Sequence, residues 1–214
     1  MHIRTLMASA AMLLLALRSS GQQSVETNAL QKKYTVFNRA ISPGTASGSI
    51  HLNEGEGPGI AWINGEEFSY GIIEFDIKGR DELQKSFVGF AFHGLNDSTY
   101  EAIYFRPFNF HSPDPVRKTH MVQYIADPLY DWPKLRTEYP NKYEQAVSPA
   151  PEPTDWFHAR ITVEPKKISV YVNGNNSPSL VVEPLVPLRG KKMGFWAGNG
   201  SDGDWENLKI TSTK

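Results

Sequence analysis

Along most of the chain apolar and polar residues alternate one by one, and nowhere do apolar residues recur at a sustained 3.6-residue spacing. Alternation marks strands with one face buried, so the chain reads as all-β. Turn residues divide it into twelve short strands, over 34–41, 49–52, 60–63, 68–78, 86–93, 100–107, 120–125, 156–164, 168–173, 179–183, 192–197 and 205–212. Val170-Tyr-Val-Asn173-Gly174 carries the sharpest turn signal, because Asn-Gly supplies the two positive φ angles of a tight hairpin. The alternation breaks down between Pro107 and Pro153, a stretch holding nine of the 15 prolines. A long, functional loop region is expected there, packed down by Tyr130, Trp132, Tyr139 and Tyr143, with one short helix over 132–139.

Because successive strand residues point to opposite sides, each strand splits into an inner and an outer row. The inner rows are apolar: Ile73, Phe75, Ile77; Val88, Phe90, Phe92; Phe157, Ala159, Ile161, Val163. Glu101 interrupts the row it shares with Ile103 and Phe105, so it is either buried and hydrogen-bonded or at a strand edge. The outer rows hold Glu74, Asp76 and Lys78; Gly89, Ala91 and His93; Tyr100, Ala102, Tyr104 and Arg106; and Trp156, His158, Arg160 and Thr162. On one sheet these rows build a small-residue floor with aromatic and cationic walls. Aromatic faces stack on the C–H patches of sugar rings while Arg, His, Asn and Gln bind hydroxyls, so the expected ligand is a saccharide. The expected contact residues are His93, Tyr104, Arg106, Asn109, Gln123, His158 and Arg160, whereas Trp196 reads as core. The bland alternative is that Tyr104, Arg106, His158 and Arg160 form an ordinary solvated sheet face, with ion pairs from its cationic members to Glu74 or Asp76.

Of the 214 residues, 40% are hydrophobic and 21% charged, enough to bury one sizeable core. Residues 1–21 read as a secretory leader: Arg4 at the start, an apolar run over 11–17, and Ser19-Ser-Gly21 before a cleavage point at Gln22. That run is too short to span a bilayer, so the mature chain is expected to be periplasmic or extracellular, with 22–33 as a linker and 34–214 as the domain. The leader carries Arg4 and Arg18 and no acid, so its removal takes the formal net charge from −1 to −3. An acidic balance argues against nucleic acid as a partner. With no cysteine there is no disulfide, thiolate metal site, thiol nucleophile or lipid-anchor site.

Phe68-x-x-Gly71-x-x-Glu74-Phe-Asp76-Ile, Phe87-Val-Gly89-Phe-Ala-Phe-His93, Tyr100-Glu-x-x-Tyr104-Phe-Arg106-Pro-Phe-Asn109, Trp156-Phe-x-x-Arg160-Ile, Val170-Tyr-Val-Asn-Gly174 and Gly194-Phe-Trp196 with Asn207-Leu208 together resemble concanavalin A-like lectin/glucanase domains. Within that superfamily the pattern is most similar to laminin-G-like modules and secreted bacterial 3-keto-disaccharide hydrolases, and it covers 34–213. The resemblance implies a jelly-roll sandwich with a concave sheet crossed by loops. It leaves three functions open, because the fold hosts them all: a glycan-binding protein, a glycoside hydrolase, or a protein-interaction module using the proline-rich flap. In a hydrolase, His93 or His158 would serve as general base with Arg106 stabilising negative charge. Family-16 hydrolases of this superfamily carry three carboxylates on one strand face; here the row reads Glu74, Asp76, Lys78, so their two-carboxyl retaining mechanism does not carry over.

Gly198-Asn-Gly200-Ser-Asp-Gly203 matches a dinucleotide-binding fingerprint in spacing, but no helix and no distal acid follow within the remaining 11 residues. It reads as a polar turn, whose Asn199, Asp202 and Asp204 offer oxygen ligands to a structural Ca²⁺, the single cofactor the chain suggests.

Overall fold

The computed structural model describes residues 23–26 and 29–213, so the expected leader lies outside the described residues. Its strands are β1 (Gln23–Glu26), β2 (Tyr34–Phe37), β3 (Ile41–Pro43), β4 (Ile50–Leu52), β5 (Gly59–Ile63), β6 (Gly71–Lys78), β7 (Val88–Asn96), β8 (Thr99–Phe105), β9 (Val122–Asp127), β10 (Glu144–Gln145), β11 (Phe157–Glu164), β12 (Lys167–Val172), β13 (Leu180–Val182), β14 (Lys192–Ala197) and β15 (Gly203–Ser212). Two short α-helices, α1 (Pro115–Lys118) and α2 (Trp132–Glu138), lie in the proline-rich stretch. No described helix is long and apolar enough to cross a membrane.

The strands form two antiparallel sheets. Sheet A runs β13-β12-β11-β6-β15-β4-β3, with β1 also pairing β15, and sheet B runs β10-β9-β8-β7-β14-β5-β2. This is the jelly-roll sandwich of the concanavalin A-like type. Within the stretch expected to be a linker, β1 adds to the sheet, Gln23 opposite Ser212 and Glu26 opposite Lys209. The Asn173-Gly174 turn has the positive φ angles its sequence predicts, 51° and 68°.

The sheets face each other through the apolar rows. Phe75 of sheet A stacks on Phe90 of sheet B at 5.3 Å, Phe157 meets Phe105 at 5.1 Å, and Trp205 meets Phe195 at 5.6 Å between ring centroids. Each buried ring removes about 150–250 Å² from water, which at about 25 cal/mol per Å² is an upper bound of about 4–6 kcal/mol apiece. With no disulfide available, stability rests on this buried apolar core, to which the aromatic seam contributes the largest side chains.

A buried polar trio of Glu101, His93 and Tyr124 enters the seam. Glu101 is buried and hydrogen-bonded: its Oε1 lies 2.7 Å from His93 Nδ1, and its Oε2 accepts from the Tyr124 hydroxyl at 2.5 Å. His93 arrives there because the β7–β8 register shifts after Phe92 and His93 takes a φ of 52°. Strict alternation would set His93 beside Gly89 and Ala91 on the outside; the bulge turns it to the interior.

Candidate functional site

The outer face of sheet B is built on a single rung. Gln123 of β9 pairs with Tyr104 of β8, Tyr104 with Gly89 of β7, Gly89 with Trp196 of β14, and Trp196 with Ile60 of β5. Gly89 offers no side chain between Tyr104 and Trp196, so their rings meet above it, 4.9 Å apart and tilted by 32°. A Cβ at Gly89 would fall 2.1 Å from the Ile103 carbonyl oxygen, so the strand approach itself requires glycine. Trp196 is buried, as its sequence context suggests, but on the outer side of sheet B, where the proline-rich segment covers it. Its Nε1 donates to the Tyr100 hydroxyl at 3.1 Å.

Arg106, just past the end of β8, lies over the same ring system, its guanidinium carbon 4.9 Å from the Tyr104 centroid and 5.7 Å from that of Phe87. Its Nη2 donates to the Tyr104 hydroxyl at 2.8 Å and to Gln123 Oε1, and its Nη1 donates to the His120 carbonyl at 3.1 Å. Asn109 Nδ2 donates to that same carbonyl at 3.0 Å. Asn109 Oδ1 and Gln123 Nε2 are buried and have no hydrogen-bond partner among the described residues. Buried polar atoms are rarely left so, and Asn109 lines the groove described next.

Beside Arg106, the buried Glu144 of β10 gathers two guanidiniums and an imidazole. Arg136 of α2 donates to it twice, Nε to Oε1 at 2.8 Å and Nη2 to Oε2 at 2.7 Å; His120 Nδ1 lies 2.8 Å and Arg106 Nη1 3.6 Å from Oε2. Burial lowers the His120 imidazole pKa, an effect that Glu144 opposes and that Arg136 and Arg106 reinforce. Burial likewise lowers that of Arg106, whereas the Glu144 bonds hold Arg136 above its ordinary value. The Tyr104 hydroxyl is pushed up to about 12 by burial, with Arg106 pulling the other way.

The proline-rich segment roofs this floor. Helix α2 starts at Asp131, whose side chain accepts from the Lys134 amide at 3.1 Å, and Leu135 fixes its inner side. Four positions apart on one face, Trp132 and Arg136 associate, with the guanidinium 5.0 Å from the indole centroid. Between floor and roof runs a groove of two adjoining lobes that share Phe87, Trp132 and Asn199. The larger, about 630 Å³, also takes in Arg106, Asn109, Arg117, His120 and Arg136. The smaller, about 200 Å³, includes Tyr104, Trp196, Asp127 and Asp131. Burial, then the nearby Asp131 charge, raises the Asp127 carboxyl above its usual range, against a hydrogen bond from Tyr100.

Of the seven residues expected at the site, Tyr104, Arg106, Asn109 and Gln123 converge. His93 is interior, bonded to Glu101, for the reason given above. His158 and Arg160 lie on β11, and the structure corrects their placement: β11 belongs to sheet A, so their outer face is on the far side of the sandwich, about 10 Å of core away. There His158 Nδ1 lies 2.7 Å from Asp76 Oδ1, and the Arg160 guanidinium carbon sits 4.1 Å from the Tyr171 ring centroid. Glu74 and Asp76 share that far face, where they form a charged strand surface. Neither histidine named as a general base reaches the groove. The loop residues proposed for Ca²⁺ are engaged elsewhere: Asn199 Oδ1 accepts from the Gly57 amide, Asp202 pairs with Arg80, and Asp204 pairs with His51 and accepts from Thr45. In the proline-rich flap, Tyr143 is buried and Tyr130 and Tyr139 are partly buried, so the large apolar side chains it exposes are Val116, Leu129 and Trp132. The sequence reading missed His120, Arg136 and Glu144: His120 precedes β9 instead of belonging to it, Glu144 lies on a two-residue strand and Arg136 on a short helix, where alternation does not assign faces.

No family model and no curated protein matches the chain. Solved structures do share its architecture. The carbohydrate-binding module CBM66 from Bacillus subtilis superposes with a TM-score of 0.51 at 11% identity, over 84% of this chain and 92% of that one. A point mutant of the Emp46p carbohydrate recognition domain gives 0.53 at 13% identity, over 87% and 94%. The Bacillus licheniformis beta-glucanase gives 0.51 at 15%, over 92% and 94%. The chain thus has the concanavalin A-like lectin/glucanase fold.

Proposed function

We propose that the protein binds a saccharide in the groove on the outer face of sheet B. The observation that carries this reading is the combination of an aromatic-walled groove of about 630 Å³ with a buried acceptor, Asn109 Oδ1, that lacks a protein partner. A groove of that size, lined by rings and a few convergent polar groups, suits a small ligand. Sugar rings present C–H faces to aromatic side chains and hydroxyls to such acceptors. Two of the structures that share the fold, a carbohydrate-binding module and a carbohydrate recognition domain, support the reading. The leader read over 1–21 extends the proposal to a periplasmic or extracellular setting, which a mature N-terminus at Gln22 in mass spectrometry would bear out.

The test is a glycan screen by thermal shift and titration, with Trp132→Ala and Asn109→Ala alongside. Stabilisation by a glycan, weakened about tenfold in both variants, is the expected result. Silence across the panel, or binding indifferent to both variants, overturns the reading. Asp127 favours a second, hydrolytic reading, and reducing-sugar release that disappears in Asp127→Asn would establish it.

A further inference from the structure

The two lobes of the groove carry opposite charge. Lining the larger are Arg106, Arg117, Arg136 and His120, with no carboxylate. Two acids pair with these groups: Glu144, buried and bonded to Arg136 and His120, and Asp114, whose Oδ2 lies 3.7 Å from Arg117 Nε at an exposed position. Against three guanidiniums these two acids leave a cationic excess, with His120 kept toward neutrality by burial. The smaller lobe has the reverse character, with Asp127 and Asp131 and no basic residue in its lining. Trp132 and Phe87 stand at the junction and border both lobes.

Resting on the saccharide reading above, the geometry points to an anionic saccharide, one whose ring bears a carboxylate or a sulfate, with its charged residue in the arginine lobe and an uncharged residue over the junction and the smaller lobe. Arginine presents a planar fork that matches either anion. The anion's charge enters a partly desolvated lobe, where Coulomb attraction exceeds its value in water. A second charged residue would face Asp127 and Asp131 and be repelled. The groove therefore prefers a chain in which acidic and neutral sugars alternate over one acidic at every residue. An ordinary basic surface would show no such order, because it lacks both the acidic lobe and the aromatic junction.

The test is a direct titration of the full chain, at low and moderate salt, with four sets of oligosaccharides: hyaluronan fragments (alternating, carboxylate), oligogalacturonates (acidic throughout, carboxylate), carrageenan fragments (sulfate), and cello-, xylo- and chito-oligosaccharides (neutral). Polyaspartate serves as a polyanion without sugar rings. The expected result is that an acidic set binds at least tenfold more tightly than every neutral one. That advantage should shrink several-fold as salt rises to 0.3 M and fall at least fivefold in Arg117→Gln, whose exposed position leaves the melting temperature unchanged. Hyaluronan fragments should exceed oligogalacturonates; a carrageenan hit without a uronate hit would assign the anion as sulfate. Neutral sets binding as tightly as acidic ones would overturn this inference and leave the saccharide reading standing. Polyaspartate binding as tightly as any glycan, unaffected by Trp132→Ala, would overturn it too. If no set binds, the saccharide reading falls with it.

Discussion

Removing the charge of Glu144 while keeping its size, in Glu144→Gln, tests whether the groove is held by one buried carboxylate. Glu144 is 2% exposed and its two oxygens receive both Arg136 bonds, at 2.8 and 2.7 Å, and the His120 contact at 2.8 Å. Glutamine keeps one acceptor oxygen and turns an amide N–H₂ toward guanidinium donors. Hydrogen bonds to charged groups contribute about 1.5–3 kcal/mol each, and breaking a fully buried pair costs about 3–5 kcal/mol. The Arg136 side chain is 35% exposed and can swing into water, whereas that of Arg106 is 5% exposed and cannot, so the expected loss is about 2–4 kcal/mol. In urea this appears as a lower midpoint at unchanged m-value. Because Glu144 opposes the lowering of the His120 pKa, the substitution also moves that imidazole further down in an NMR titration. Replacing both partners, in Glu144→Gln/Arg136→Met, should recover part of the loss and give a coupling of at least about 1 kcal/mol. A single-mutant loss below about 0.5 kcal/mol, or strict additivity in the cycle, would refute the argument.

Trp132, 48% exposed, should accept alanine with less than about 0.5 kcal/mol change in stability while saccharide affinity falls about tenfold, about 1.4 kcal/mol; a stability loss above 2 kcal/mol would make it structural. Gly89→Ala forces a Cβ to within 2.1 Å of the Ile103 carbonyl oxygen and is expected to cost about 1–3 kcal/mol by chemical denaturation, with an unchanged melting curve contradicting the close approach. On the far face, a hydrogen bond to Asp76 raises the His158 pKa, so its contribution is fully present below its unfolded value and lost as pH rises through the folded one. His158→Gln should therefore destabilise by about 0.2–1 kcal/mol at pH 5 and by less at pH 9, since the half-exposed pair is screened by solvent; a larger effect at pH 9 would reverse the assignment. Burial pushes the Asp76 carboxyl up, but bonds from His158 and Asn207 outweigh it and leave it low, so Asp76→Asn should cost more at pH 7 than at pH 3.

What alternation reveals is which side of a strand is inside, and there the sequence was readable. Ile73, Phe75 and Ile77 and the row from Phe157 to Val163 are buried as their spacing implies, and Glu101 is the buried, bonded exception its position suggests. Alternation is silent on which sheet an outer row belongs to. That depends on strand order, and β11 joins β6 through pairings such as His158 with Asp76, across 82 residues. Two outer faces with the same vocabulary of His, Arg, Tyr and acids were thus indistinguishable in the sequence. A bulge hid His93 for a different reason: one added residue reverses a side chain with no change in composition.

The two outer faces differ in how they are covered. Tyr104, Arg106, Asn109 and Gln123 are polar or amphipathic and no more than 4% exposed, whereas the His158 side chain keeps 39% of its surface in water. What covers the first face is the segment whose strand pattern fails. Helix α2 lays Trp132 and Arg136 over it, and β10 inserts Glu144 beneath them. Desolvation of that kind strengthens every polar contact a ligand makes, so the arginine and tyrosine types that merely pair with solvent and each other on sheet A are, on sheet B, the groups that the proposed ligand site uses. The proline-rich segment between Pro107 and Pro153 therefore turns a sheet face into a groove, and sequence changes within it should redirect ligand preference while leaving the aromatic seam intact.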